Sequence, residues 1–435
     1  MITKITRGPV DLVTPSDGDN FRYGLGFPLQ VGPRQAALLC NLRTEQMPTG
    51  DFENGADVLL FDDVDVICHS VAVPITRNER STDPDTGSSR IVIKYPVVGG
   101  FVPFGARRAN GMAHACAGTG FGVSEALDFP MQADGSYSKA DKTGSMIRRA
   151  VVHQFTYDGT TFTAHEDRTG DNLLAVPESD WIVYVNGLHT AIADGEDLLY
   201  PACATTGDAS LCNPTPTAAG VSRWQFRHDR WQLSHFEPVS MSRRADEPRI
   251  LYGEALQLTA SEPSLIRDID GSLLFTARLS GDEVEDHTVR VWQSQDGGKR
   301  WVVVIDQTQA RGQAPITLNR AADGTPYLAA NVHGRERDLL WLWPLDEQRT
   351  GLLQGLEIRE ALEEFGPPPT GPVWFMDHPT AVTLRLAKGE WHHVLVYRLM
   401  DRGEHAGAAP PAQTGMYVEE VTSTGPVIPE WHFED

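Results

Sequence analysis

An all-β chain built from repeated hairpins is the architecture this sequence predicts, and three observations carry the prediction. Helical periodicity is nearly absent; short apolar runs recur between turn dipeptides; several of the resulting hairpins read as copies of one unit. The 40 Gly and 29 Pro among 435 residues suit many short strands joined by turns and do not suit a helical bundle. All-β chains of this length often fold as a single unit.

The elements follow from the turn signals. Asp134-Gly135, Asp158-Gly159, Asp194-Gly195, Asp270-Gly271, Asp323-Gly324 and Lys388-Gly389 each separate two strand-like runs. The hairpin copies run from Gly26 to Arg43, from Leu188 onward, and over Ser261–Arg278, Ala314–Asn331 and Asp377–Arg398. The later copies lie roughly 50–75 residues apart, the span of a four-stranded propeller blade. A six-bladed β-propeller is the predicted architecture, with five or seven blades as the neighbouring counts. One domain over 1–435 is expected, because a closed propeller pairs its last blade beside its first. The stretch from about 75 to 165 is less regular. The one helix predicted is Leu356–Phe365, closed by Gly366 and Pro367-Pro368-Pro369.

Charge excludes several partners. The 37 Lys+Arg against 59 Asp+Glu leave −22 with His neutral. Such a surface repels nucleic acid and anionic membranes. The five cysteines Cys40, Cys68, Cys116, Cys203 and Cys212 carry no metal-ligand spacing, and no cofactor or metal is expected. Cys203 and Cys212 bracket a loop and could pair in an exported protein. The first residues carry no apolar run of signal-peptide length, so a cytoplasmic chain and a secreted or periplasmic one both remain open. The oligomeric state is open as well.

The most specific motif is Ser294-Gln295-Asp296-Gly297-Gly298-Lys299-Arg300-Trp301, of the form S-x-D-x-G-x-x-W. Together with the hairpin Glu262–Arg278 before it and Pro315–Asn331 after it, this motif resembles the Asp-box of the BNR-repeat, sialidase-like superfamily. The likeness is good over about 255–345, plausible over 375–400 and thin before 250. It implies a sialidase-type propeller, with the box as a folding device on the face away from the active site. It also implies three arginines gripping a sugar carboxylate, for which Arg's planar fork is suited. Arg22 and Arg278 are similar to the first two, and Arg335 is the candidate third, with Arg337 its rival. Glu262 matches the glutamate that polarises the family's nucleophilic tyrosine. The sequence departs from the family at that tyrosine, where Asp377-His378-Pro379-Thr380 stands; Tyr397, about one strand pair later, is expected to be structural.

Read without the resemblance, Glu262, His189 and His378 begin inner strands and so point toward a central channel, and His114 joins them through the small-residue segment GMAHACAGTGFG. Histidine moves protons near neutral pH. Arginines that hold a carboxylate beside such histidines fit two reactions. One is glycoside hydrolysis of an acidic terminal sugar, with Glu262 as acid/base and His378 supporting or replacing the nucleophile. The other is β-elimination from a uronic-acid glycan, as a polysaccharide lyase with His114, His189 or His378 as base. A non-catalytic glycan-binding propeller is the third reading. The expected partner in each case is an acidic oligosaccharide or glycoconjugate.

Overall fold

The computed structural model describes residues 2–7, 21–44, 53–64, 72–83, 87–108, 110–131, 147–168, 174–184, 187–206, 218–241, 250–251, 254–255, 259–280, 288–308, 314–332, 337–369, 371, 373–401 and 413–434. They form a nearly all-β, propeller-like fold of antiparallel sheets. In chain order the first sheet holds strands Phe21–Gly32, Gln35–Thr44, Glu53–Phe61 and Ala72–Arg77. The second runs from Glu79 to Glu166 and the third from Trp181 to Met241, each with five strands. The fourth comprises Thr259–Arg267, Leu273–Ser280, Thr288–Ser294 and Val302–Thr308. The fifth comprises Thr317–Arg320, Pro326–Asn331, Leu339–Pro344 and Leu356–Glu360. In the sixth, Trp374–Arg385, Trp391–Asp401 and Gly415–Ser423 are completed by the N-terminal strand Ile2–Arg7, which pairs with Gly415–Ser423. A two-residue-per-strand hairpin, Ile250–Leu251 with Glu254–Ala255, lies outside these six.

Apolar faces fill the spaces between consecutive sheets, and the cores close into a ring. Phe27, Phe121 and Trp224 belong to one core across the first three sheets. Leu199 and Phe275 join the third to the fourth, and Leu274 and Leu328 the fourth to the fifth. Tyr327 and Leu395 join the fifth to the sixth, and Leu38 and Val396 bring the sixth back to the first. A strand buried on both faces needs apolar residues at every position. This is why runs such as Leu38-Leu39 and Leu273-Leu274-Phe275 are continuous rather than alternating.

Five of the six expected turn dipeptides join paired strands where the sequence puts them, and Asp134-Gly135 lies outside the described residues. At Asp158-Gly159 the Asp158 carboxylate accepts the N–H groups of Thr160 and Thr161 at 2.9 and 2.8 Å. The helix over Leu356–Phe365 needs correction. Leu356–Glu360 is a strand and only Ala361–Phe365 is helical. Leu356–Glu360 pairs with Leu339–Pro344 as the outer strand of the fifth sheet, with Ile358 buried in the core between the fifth and sixth sheets, and this pairing overrides the helical reading. Cys203 is buried within strand Asp197–Thr206, and Cys212 lies outside the described residues. Among the described residues no helix is long and apolar enough to cross a membrane.

Two faces of the ring are distinguishable. The first strands of neighbouring sheets lie side by side, and each ends at a hairpin turn, such as Asp268–Ser272 or Ala321–Thr325. The C-terminal residues 425–434 cross this turn face. Ile428 N–H donates to Ala322 O at 2.8 Å, Glu430 accepts from Ala193 N–H at 3.1 Å, and Arg107 N–H donates to His432 O at 2.7 Å. The Ser294–Trp301 turn follows a strand that runs parallel to the fourth sheet's first strand and therefore lies on the turn face too. Ser294 Oγ accepts Gly298 N–H at 2.9 Å and donates to Asp296, while Trp301 Nε1–H donates to Gly298 O at 3.0 Å. Ser294→Ala strands the buried Gly298 N–H and should cost about 1–2 kcal/mol in urea unfolding.

Candidate functional site

The opposite face is where the first strands begin, and four of these strands carry a bulge near that end. Register shifts fall between Tyr23 and Gly26, Tyr95 and Val98, Ser261 and Ser264, and Asp377 and Thr380. In the fourth and sixth sheets the bulge residue before proline is Glu262 or His378, in left-handed backbone with φ of 50° and 56°. Side chains other than glycine rarely hold this conformation, and where they do the surroundings impose it. Here proline follows each, and strand pairing flanks each; Ser261 opposes Arg278 and Asp377 opposes Arg398.

These bulges bring six side chains into one network. Arg278 Nη1 donates to Glu262 Oε2 at 2.9 Å, and Glu262 Oε1 lies 3.9 Å from His378 Nε2. His378 Nδ1 is 2.7 Å from Asp377 Oδ1. Arg398 donates from Nε and Nη2 to the two oxygens of Asp377 at 2.8 and 3.1 Å, and Arg337 Nη1 donates to Oδ2 at 2.6 Å. Asp377 is wholly buried, whereas the Glu262 and His378 side chains each keep 13% exposure.

The charges fix which groups are ionised. Burial pushes the Glu262 carboxyl up, but Arg278, then His378 and Arg337, outweigh it and the net shift is downward. Burial likewise opposes ionisation of Asp377, yet Arg398, His378 and Arg337 hold it well below the usual carboxylate range. Both are carboxylates at neutral pH. Three guanidinium groups therefore face two carboxylates, a local excess of one positive charge within a chain of net −22. Arg278 Nε is buried without a hydrogen-bond partner among the described residues, so the guanidinium keeps donor capacity beyond Glu262.

The other sequence candidates are not part of this described network. Arg22 lies in strand Phe21–Gly32 opposite Arg43, with its side chain outside what is described, and Arg335 lies outside the described residues. Its rival Arg337 is the arginine in the network. His189 is not in contact with Glu262 or His378: its Nδ1 is 2.9 Å from Thr190 O and its Nε2 3.3 Å from Ala381 O. It lines a cavity of about 200 Å³ toward the turn face, together with Arg267, Arg320, Thr383 and Glu430. His114 sits in the turn joining the second sheet's strands Ser89–Val102 and Thr119–Pro130, against Gly195 and Trp431. That turn is on the face away from Glu262, because the strand ending at Val102 runs from the bulge toward it. His392 and His393 face opposite sides, His392 on Glu420 and His393 on Tyr327 and Thr383.

Tyr397 is buried in the sixth sheet, where its hydroxyl donates to Glu419, itself 3.3 Å from the buried Arg359. Arg359 also lies over the Tyr417 ring at 4.6 Å. Tyr397→Phe should lower stability by about 1–3 kcal/mol by leaving Glu419 short of a donor, with no change in turnover. Asp377 and Arg398 escaped the residue list drawn from the sequence. The signal was present: Arg398 ends its hairpin copy as Arg278 ends the earlier one.

No family model and no curated protein matches the chain. Among solved structures it is similar to a protein of unknown function from Dyadobacter fermentans, with a TM-score of 0.56 at 13% identity over 97% of this chain and 98% of that one. It is also similar to the Hadza microbial sialidase Hz136, with a TM-score of 0.50 at 11% identity over 94% of this chain and 66% of that one. The NanB sialidase of Streptococcus pneumoniae aligns with a TM-score of 0.49 at 8% identity, over 96% and 71% of the two chains. At such identities the likeness is one of fold, and it extends over nearly the whole length of this chain.

Proposed function

We propose that the chain is one closed, six-bladed, sialidase-type propeller with Ser294–Trp301 as its Asp-box, and a carbohydrate-active enzyme acting on an acidic terminal sugar. The observation that carries the proposal is the Asp377–His378 pair, whose 2.7 Å contact orients Nε2 toward Glu262 beside Arg278. A carboxylate on one imidazole nitrogen fixes the tautomer and leaves the other nitrogen to exchange protons with substrate. The substrate carboxylate docks on Arg278, and Arg22 and Arg335 are the further contacts we assign to it. In hydrolysis, water adds to the anomeric carbon as the bond to the leaving oxygen breaks. His378 supplies the leaving oxygen's proton, the attacking water gives its own proton to ionised Glu262, and that proton returns to His378 Nε2, 3.9 Å from Glu262 Oε1. Glu262 enters this step ionised, in keeping with the net downward shift of its carboxyl, where burial is outweighed by Arg278.

A uronate-directed lyase is the second reading. In it His378 removes the proton α to the carboxylate that Arg278 neutralises, the bond from the β-carbon to the glycosidic oxygen breaks, and that oxygen takes up the proton His378 received. The two readings separate on a panel of acidic glycans. Reducing sugar released without new ultraviolet absorbance marks hydrolysis, whereas the absorbance of an unsaturated uronide marks elimination. A panel giving neither product, with Arg278→Ala leaving glycan binding unchanged, contradicts both and leaves a non-catalytic propeller.

A further inference from the structure

The turn face carries a second set of polar side chains that the glycan site does not use. His114 and Cys116 come from the turn after strand Ser89–Val102, and Glu196 from the turn before strand Asp197–Thr206. His114 Nδ1 lies 3.4 Å from Cys116 Sγ and 3.1 Å from Glu196 Oε2, and one ligand atom from each of the three lies within 4.8 Å of the others. The His114 and Cys116 side chains are buried and the Glu196 side chain is 36% exposed.

The tautomer makes this arrangement unusual. His114 Nε2 is 2.9 Å from Gly195 O, a pure acceptor, so Nε2 carries the hydrogen. In that tautomer the Nδ1 lone pair faces both Cys116 Sγ at 3.4 Å and Glu196 Oε2 at 3.1 Å, three donor atoms turned toward one point. We propose that His114, Cys116 and Glu196 form a Zn²⁺-type metal site that clamps the second sheet to the third. Zinc bonds of about 2.0 Å to nitrogen or oxygen and about 2.3 Å to sulfur, at tetrahedral angles, place ligand atoms about 3.3–3.5 Å apart. The observed 3.4 and 3.1 Å separations are close to that edge length. The N, S and O donors suit zinc, and a backbone carbonyl on the far nitrogen is the usual orienting partner of a metal-bound histidine.

The surrounding backbone holds the ligands in place. His114 N–H donates to Ala106 O at 3.0 Å, Ala117 N–H to His114 O at 3.2 Å, and Thr119 Oγ1–H to Cys116 O at 2.8 Å. Arg108 contacts Glu196 Oε1, and Ala115 N–H donates to Oε2 at 3.2 Å, which holds that oxygen toward His114 with a lone pair to spare. Trp431 stacks edge-on to His114 at 6.0 Å from the crossing C-terminal segment. The three side chains lie on the turn face, away from Glu262, and so take no part in the glycan site. Sequence spacing does not reveal this cluster, because the third ligand comes from a different sheet about 80 residues away.

Metal-stripped protein titrated with Co²⁺ tests the site. One equivalent should give a thiolate-to-cobalt charge-transfer band in the near ultraviolet that Zn²⁺ displaces. Cys116→Ser should abolish the band, and Glu196→Gln should weaken Co²⁺ binding at least ten-fold. No band with the wild-type protein, or the same band in Cys116→Ser, overturns the proposal. Should Cys116→Ser fail to fold, crystals of the wild-type protein grown with Zn²⁺ decide: an anomalous peak at the zinc edge between the three side chains is expected, and its absence overturns the site.

Discussion

His378→Asn is expected to lower turnover on an acidic glycan by about 10²–10⁴-fold, the usual loss when a positioned proton-transfer group is removed. Asparagine is the informative replacement because it tolerates the left-handed backbone that residue 378 adopts, with φ of 56°. Its amide also donates to Asp377 in place of Nδ1, so the fold is kept while the exchangeable nitrogen is lost. KM should change little, since Arg278 rather than His378 holds the substrate carboxylate. Steady-state kinetics with thermal unfolding of the same preparation separates the two effects. A variant that unfolds at the wild-type temperature and turns over at the wild-type rate contradicts the assignment.

Asp377→Ala should produce the largest loss of stability. Asp377 is wholly buried and neutralises Arg398 and Arg337, with Arg398 itself nearly buried. Removing one partner of a buried ion pair costs about 3–5 kcal/mol, because the charge left behind has no compensation. The pH dependence follows with a definite sign. The folded carboxyl is held well below its unfolded value, so its stabilisation is complete above the usual carboxylate range near pH 4 and is lost as pH falls further. Buried His153 and His393 also lose stability on acidification: burial lowers their values to about 4 and about 3, so the loss begins as pH falls below about 6.5. The difference between wild type and the milder variant Asp377→Asn isolates the carboxylate. That difference should be large at pH 7 and shrink below pH 4.

Much of the fold was legible because strand pairing leaves local marks. The dipeptides at Asp194-Gly195, Asp270-Gly271, Asp323-Gly324 and Lys388-Gly389 supply the φ > 0 that tight turns need, and the described glycines there have it. The strand Leu356–Glu360 was misread because it spans only five residues and adjoins a true helical turn. Glu262, Arg278 and His378 were legible through hairpin copies, since equal offsets in equivalent hairpins place side chains at one level of the ring. His189 was read by the same logic, from a copy with a shorter first strand, and lies instead toward the turn face, while His114 was read from a small-residue loop. Which face of the ring a residue occupies depends on strand direction and bulge register, and neither is written in composition or in a small-residue loop. Asp377 looked like a neighbour of the candidate histidine, and only its register opposite Arg398 reveals it as the group that holds the histidine.

The most direct test of the account is a crystal structure of the His378→Asn protein soaked with an acidic oligosaccharide. The account expects the sugar carboxylate within about 3 Å of the Arg278 guanidinium, with the bond to be broken lying against residue 378 and Glu262. Saccharide density at the cavity lined by His189, or elsewhere on the turn face, with none at Arg278, would contradict it.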